Sequence, residues 1–122
     1  MGIDRLSTNS TGDGSWKGRS TLEVQDAVSA RSHVLVLSGE LDVASADQLE
    51  ALIRQICAQT TIEVVLDLSN LTFIDSAGLR AILLAGELCE DRGHEFAIVP
   101  GPTHVQRVFE LARLTEKLPF QL

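Results

Sequence analysis

The stretch LDLSNLTFIDSAGLRAILLA (Leu66–Ala85) contains an abrupt change of pattern near the middle of the chain. An apolar segment typical of a strand runs into a polar turn, then into Asp75-Ser76-Ala77-Gly78, then into a segment that reads as a helix with apolar residues on nearly every side. A serine next to an aspartate at a helix start is usually a cap. The alternative is that Ser76 is presented for chemical modification.

The spacing of apolar residues outward from this stretch predicts an α/β fold. The predicted elements are, in order, a strand from Thr21, a strand at His33–Leu37, a helix at Ser45–Ala58, a strand at Ile62–Leu68, a helix at Ser76–Arg92, a strand at Phe96–Val99, a helix that buries Val105, Val108, Phe109 and Ala112, and a short strand at Leu118–Leu122. The order β-β-α-β-α-β-α-β predicts a mixed, mostly parallel sheet packed with helices and opened by one antiparallel hairpin. Residues 1–20, rich in Ser, Thr and Gly, are predicted to be a flexible tail, and residues 21–122 a single domain.

Two polar motifs fall where a predicted strand passes into a predicted helix. These are GELD (Gly39–Asp42) and IDSAG (Ile74–Gly78). Because strand ends that lead into crossover helices gather at one edge of an open α/β sheet, we expect the two motifs to lie close together.

Composition excludes several classes of function. The chain has 122 residues and a net charge of −7, which argues against nucleic acid or an anionic membrane as the main partner. No apolar run approaches the roughly 20 residues of a membrane span, and no secretory signal is visible. The two cysteines, Cys57 and Cys89, fit small core residues in a reducing compartment. The expected location is the cytoplasm.

Ser76 has two physical interpretations. As a helix cap its hydroxyl would contribute about 1 kcal/mol. A phosphate on it would add about −1.5 to −2 charges, which the helix N-terminus would partly accommodate and which Asp75 would oppose. Gly78 costs up to about 1 kcal/mol inside a helix, but it allows another backbone to approach closely. The modified state would therefore be tolerated by the fold while changing the surface.

The helical periodicity after Ser76 separates two faces. One face is assigned to the sheet and carries Leu79, Ile82, Leu83, Gly86 and Cys89. The opposite face carries Arg80, Leu84, Glu87 and Leu88. Leu84 and Leu88 are one turn apart, so they are predicted to form an exposed apolar ridge for a partner, unless another helix or the tail covers them.

Catalysis is not indicated. The GxSxG pattern of a nucleophile elbow is absent around Ser76, and there is no P-loop and no GxGxxG. His33, His94 and His104 are expected at the surface, and Asp42 and Asp75 are expected to be rim residues, although they could pair as acid and base. We therefore expect no enzyme activity, no metal site and no cofactor.

Three segments together resemble a known family. GELDVASADQL (Gly39–Leu49), VVLDLSNLTFIDSAGLRAILLA (Val64–Ala85) and VQRVFELARL (Val105–Leu114) look like a STAS domain, and more closely like the bacterial anti-sigma-factor antagonists. The resemblance covers about residues 21–120, and DSAGL combined with GELD at this separation is specific.

The resemblance implies partner switching in transcription regulation. The unphosphorylated protein would bind an anti-sigma factor that is also a serine kinase of the GHKL type, which releases a sigma factor. The kinase would phosphorylate Ser76 and so dissociate the complex, and a metal-dependent serine phosphatase would restore it. The partner-binding residues would be Asp42, Asp75, Ser76, Gly78, Arg80, Leu84 and Leu88. The domain would be a monomer or a weak homodimer.

Two departures from the family and one competing function accompany this interpretation. The third helix ends in Ala112-Arg113-Leu114 where the family usually has a small residue, glycine and leucine. The sequence stops at Leu122, before the final helix that many members of the family carry and that a truncation would remove, so the sheet face that this helix would cover is expected to be exposed or paired in a dimer. The competing function is a STAS scaffold, or the STAS subunit of a lipid-transport ABC system, that docks without being switched.

Overall fold

The computed structural model describes residues 21–121. Its elements are β1 Leu22–Ser29, β2 Ser32–Leu41, α1 Ala46–Cys57, β3 Glu63–Ile74, α2 Ser76–Asp91, β4 Glu95–Val99 and α3 Thr103–Leu111. This order confirms the predicted succession of strands and helices up to the third helix. The predicted tail, residues 1–20, lies outside the described residues. Within residues 21–121 no helix is long and apolar enough to cross a membrane.

The sheet has the order β1-β2-β3-β4, with β1 antiparallel to β2 and the other neighbours parallel. The predicted mixed sheet opened by a hairpin is confirmed. The predicted strand at the C-terminus is reduced to one bridge between Phe120 and Ile98. Pro119 precedes Phe120 and has no N–H to donate, which limits the pairing of this segment.

Both middle strands continue beyond the predicted ends. β2 extends through GELD as far as Leu41, and β3 runs on through the polar stretch after Leu68 instead of turning there. The pairing between them is irregular, because Val36 pairs with Asp67 whereas Ser38 pairs with Asn70. The extra residue makes a bulge, and the Asp67 carboxylate accepts hydrogen bonds from the Ser69 backbone and hydroxyl there. A bulged strand and a turn share the same polar residues, which explains the wrong prediction.

The core lies between the sheet and the helices. Each crossover moves one strand further in the same direction along the sheet, so right-handed connections put α1, α2 and α3 on one face. The fully buried side chains of the strands on this face include Leu35, Leu37, Val64, Leu66 and Leu68. Phe109 of α3 packs edge-on against Phe120, with the ring centroids 5.1 Å apart.

The buried face of α2 differs from the predicted one. It consists of Gly78, Ala81, Ile82, Ala85 and Cys89. α2 packs against α1 as well as against the sheet, so small residues that looked neutral in the sequence become contact residues. The predicted exposed ridge was wrong: Leu88 packs against the core and Leu84 is half-buried.

The two cysteines meet within the core. Cys57 lies at the end of α1 and Cys89 near the end of α2, and both are buried. Burial, together with the neighbouring Cys57 thiol, raises the pKa of Cys89 to about 12. The Cys89 thiol is therefore neutral at physiological pH and behaves as a small apolar residue.

α3 ends in a Schellman motif that contains an arginine where glycine is usual. Arg113 has φ +60°, its N–H bonds the carbonyl of Glu110 at 3.0 Å, and the N–H of Leu114 bonds the carbonyl of Phe109 at 2.9 Å. Arg113 is the position at which the sequence departs from the glycine of the family pattern. α2 ends in the same way, with Gly93 at φ +75°. The departure therefore leaves the shape of the helix end unchanged.

Arg113→Gly should stabilise the protein by about 1 kcal/mol, because the left-handed conformation costs an L-residue other than glycine about that much. Gly93→Ala should destabilise it by a similar amount. A Cβ at Gly93 would have no neighbour within 4 Å, so the loss of stability would report the backbone strain of the left-handed conformation without any steric clash. Urea unfolding of both variants checks the pair. A destabilised Arg113→Gly protein would mean that the arginine side chain makes a compensating contact.

Candidate functional site

The ends of β2 and β3 are joined by the Asp75 side chain. Its Oδ1 accepts the N–H of Gly78 at 2.9 Å, and its Oδ2 accepts the N–H of Val43 at 3.2 Å. The Asp75 N–H also bonds the Leu41 carbonyl at 3.3 Å. The predicted proximity of the GELD and IDSAG motifs is thus confirmed by direct hydrogen bonds.

Asp75, and not Ser76, is the N-cap of α2. Asp75 has an extended backbone and its carboxylate satisfies a free amide of the first turn, as a cap does. Ser76 is the first helical residue and its side chain is exposed. Within residues 21–121 its hydroxyl has no hydrogen-bond partner. The cap interpretation of Ser76 was therefore wrong, and the fold leaves this hydroxyl unengaged.

Asp42 shapes the loop that faces Ser76. Its Oδ1 accepts the N–H groups of Ala44 at 3.0 Å and Ser45 at 3.2 Å. Ser45 is completely buried, and its hydroxyl accepts the Asp42 N–H at 3.0 Å and lies 2.9 Å from the carbonyl oxygen of Glu40. Ser45 is a structural residue that the sequence interpretation missed. The carboxylates of Asp42 and Asp75 both hold backbone amides, and neither hydrogen-bonds the other, so the geometry does not resemble an acid–base pair.

Gly78 lets α2 start directly against the end of β2. A Cβ on Gly78 would overlap the Leu41 carbonyl oxygen and would lie 2.8 Å from Cγ1 of Ile74. The close backbone approach expected at this glycine is present, and it sets the distance between Ser76 and the loop at residues 42–45.

The charges around Ser76 are unequal. Asp75 and Asp42 lie on the loop side, while Arg80 is exposed one helical turn after Ser76. Among the described residues, Arg80 has no ion-pair partner. The amides of Ser76 and Ala77 belong to the first turn of α2, where no intrahelical acceptor exists for them. An anion at Ser76 would thus find a free cation and a helix N-terminus nearby.

Two exposed apolar side chains lie at this edge of the sheet. Val43 is 77% exposed in the loop that Asp75 holds, and Phe73, 47% exposed, is two residues before Asp75. Val43 and Phe73 are exposed, whereas Leu84 and Leu88, for which the sequence predicted exposure, are not. A signal was available for Phe73, because adjacent strand residues face opposite sides and Phe73 and Ile74 cannot both face the core.

The three histidines lie in three different surroundings. His33, expected at the surface, is buried, and its Nδ1 lies 3.0 Å from both carboxylate oxygens of Asp26. His94 is half-buried, and its Nε2 has no hydrogen-bond partner. His104 lies beside the C-terminal part of β3, where its Nε2 is 2.7 Å from the Thr72 carbonyl oxygen. Within residues 21–121 no group of three or more potential metal ligands occurs.

Comparison with known proteins extends the motif evidence over the whole domain. A family model described as "Mlab, STAS domain" matches residues 24–119. The anti-sigma F factor antagonist of Paenibacillus polymyxa is 34% identical over 91 residues, covering 70% of this chain and 74% of that protein.

Solved structures show the same fold. An anti-sigma factor antagonist from Mycobacterium paratuberculosis aligns with a TM-score of 0.72 at 24% identity, over 87% of this chain and 88% of its own. Unphosphorylated SpoIIAA aligns with a TM-score of 0.70 at 22% identity, over 82% of this chain and 89% of its own. The phosphorylated form of SpoIIAA from Bacillus aligns with a TM-score of 0.64 at 22% identity, over 82% of this chain and 92% of its own. The murine anion transporter Slc26a9 contains the fold too, with a TM-score of 0.63 and 18% identity over 73% of this chain and 15% of that one. The chain belongs to the STAS-domain family, and it resembles that family's anti-sigma-factor antagonists.

Proposed function

We propose that this protein is an anti-sigma-factor antagonist that is switched at Ser76. In its unphosphorylated state it binds an anti-sigma factor that is also a serine kinase of the GHKL type, which frees a sigma factor. Phosphorylation of Ser76 ends the binding, and a serine phosphatase reverses it. The protein itself catalyses nothing in this cycle; it is first a ligand and then a substrate.

The observation that carries the proposal is the unengaged hydroxyl of Ser76. A kinase needs a serine oxygen that is accessible and free of competing hydrogen bonds. Asp75 takes over the capping of α2, so phosphorylating Ser76 removes no contact on which the helix start depends. The family resemblance supports a phosphoacceptor at this same position.

The surroundings of Ser76 favour tolerance of a phosphate by the fold. Arg80 is exposed one turn away and can pair with it, and the first turn of α2 offers amide groups and the positive end of the helix dipole. Asp75 opposes the new charge, but its two carboxylate oxygens remain occupied by the amides of Gly78 and Val43. The folded domain therefore persists in both states.

The same surroundings favour release of a partner. Val43 and Phe73 offer apolar contacts beside Ser76, and Asp42 and Asp75 hold the loop that carries Val43. A partner that covers these side chains would also desolvate Ser76. Two additional negative charges at that position would have to be buried on binding, which costs several kcal/mol unless each is paired.

The test compares Ser76→Ala and Ser76→Glu as baits in a pull-down from lysate of the source bacterium, followed by affinity measurement with the captured kinase. We expect the alanine variant to retain an ATPase-fold kinase and the glutamate variant to bind it at least about tenfold more weakly, a difference of about 1.4 kcal/mol. Ser29→Glu is the matched control, because Ser29 is exposed at the opposite end of the sheet and should bind like the wild type. The purified kinase with ATP should phosphorylate the wild type and leave Ser76→Ala unmodified.

A STAS subunit that docks constitutively is the second candidate, favoured by the matched family description and by the presence of the fold in a transporter. Its docking would not depend on charge at Ser76. Equal capture of the same partner by both baits would support it and contradict the switch.

A further inference from the structure

One face of the sheet has no helix against it. Register places Val34 and Val36 of β2, Val65 of β3, and Ala97 and Val99 of β4 on the face opposite the three helices. None of these five side chains belongs to the core cluster or packs against it. They form an apolar strip across β2, β3 and β4, here called the open face, with Val65 at its centre only 8% exposed.

Carboxylates surround the open face. The same register places Glu23, Glu63, Asp67 and Glu95 on this side of the sheet, and Glu63 pairs directly with Glu95. Among the strand residues that the structure describes, this side carries neither lysine nor arginine. Whatever covers the open face must therefore contribute apolar surface and positive charge.

A second copy of the domain fits this requirement poorly. Two copies joined through the open face would bring two identical sets of carboxylates together around an apolar centre of small side chains. Like charges held close in this way oppose association.

The segment immediately before β1 fits the requirement well. Trp16-Lys17-Gly18-Arg19 combines the only tryptophan of the chain with two cations, next to Thr21. The chain is anchored at that point, since the Thr21 carbonyl accepts the Glu40 N–H at 3.2 Å and a Cβ on Gly39, at φ +101°, would overlap it.

The reach is sufficient. Four residues lie between Trp16 and Thr21, and the five Cα–Cα steps span about 17 Å when extended. Val36 lies one strand across from β1 and pairs with Gln25, so it is about 15 Å from Thr21 at normal strand spacing and rise. Val34 and Val65 lie further along the strands, roughly 20 Å or more from Thr21, so the part of the open face that Trp16 can reach is the part around Val36.

We infer that residues 15–20 dock on the open face, with the Trp16 indole over Val36 and with Lys17 and Arg19 among the surrounding carboxylates. This docking lies on the side of the sheet away from the helices and is independent of any switch at Ser76.

Tryptophan fluorescence of the full chain tests the inference, because the chain has one tryptophan and no tyrosine. We expect the native protein to emit at shorter wavelength, and to be quenched by acrylamide at least twofold less, than the same protein in guanidinium. Val36→Asp should move both values to those of the unfolded chain while circular dichroism stays native. Val28→Asp is the matched control, since Val28 is exposed on the helix side of β1, and it should leave both values unchanged.

Several results would overturn the inference. Native emission equal to that in guanidinium would mean that Trp16 does not dock, and this comparison does not depend on the folding of any variant. A blue shift that survives Val36→Asp would place the indole elsewhere. A blue shift that disappears on dilution, with a matching change in sedimentation, would assign the open face to a second copy. Charge reversal of Lys17 and Arg19 to glutamate should shift emission to longer wavelength, and an unchanged spectrum would contradict the role given to the carboxylates.

Discussion

Gly78→Ala should lower the free energy of unfolding by about 3 kcal/mol, at the upper end of what overpacking a core costs. The new methyl group would overlap the Leu41 carbonyl oxygen and press on the side chains of Leu41 and Ile74. The Leu41 carbonyl cannot simply move aside, because it accepts the N–H of Asp75. The start of α2 would therefore have to shift away from β2, together with Ser76.

Gly86→Ala is the matched control for this prediction. It makes the same change in the same helix, but its Cβ would lie 3.3 Å from Cε2 of the Phe96 ring, which can rotate or shift. The helix gains up to about 1 kcal/mol from replacing an interior glycine by alanine, so this variant should unfold at or above the wild-type midpoint. Urea denaturation of both variants gives the comparison. Equal stability of the two would mean that α2 is displaced at little cost and that Gly78 does not set the position of Ser76.

Asp75→Ala should cost about 2 to 3 kcal/mol, because one side chain makes two charge-assisted hydrogen bonds to backbone amides. One of them caps α2 through Gly78, and the other holds the loop at Val43. Without the carboxylate both amides lose their acceptor. We expect a lower midpoint in thermal and urea unfolding, and faster amide hydrogen exchange at Gly78 and Val43.

Asp75→Asn separates the two contributions. The asparagine oxygen can still cap Gly78, whereas its NH₂ group cannot accept the N–H of Val43. The expected loss is about 1 kcal/mol, with faster exchange at Val43 alone. Asp47→Ala is the control, since Asp47 is an exposed acidic residue in the first turn of α1 without a capping bond, and it should lose less than about 1 kcal/mol. Equal losses at Asp47 and Asp75 would reduce the role of Asp75 to a general effect of charge at a helix start.

These predictions concern contacts between two motifs that are more than thirty residues apart in the chain. The sequence predicts GELD and IDSAG at one edge of the sheet, because alternating strands and helices leave few topologies and strand ends collect at that edge. The hydrogen bond between Asp75 and Val43 is not predictable from the sequence, because a bond between residues so far apart in the chain depends on the final position of both loops. Ser76 was interpreted as a cap or a switch, and the observation that its neighbour is the cap required coordinates.

Local patterning determined the order of the elements, the hairpin, the parallel crossovers and the helix start at Ser76. Apolar residues recur every two residues in a strand and every 3.6 residues in a helix, and both this period and a capping sequence can be recognised within a short segment. The tertiary structure alone decided which sides of α2 are buried: α2 packs against α1 as well as the sheet, Ala81 and Ala85 are interior, and Leu88 packs against the core. It alone buried His33 beside Asp26 and left Val43 and Phe73 exposed next to Ser76. Periodicity shows that a helix or strand has an apolar side, but only packing shows how many neighbours that side has and which residues remain at the surface.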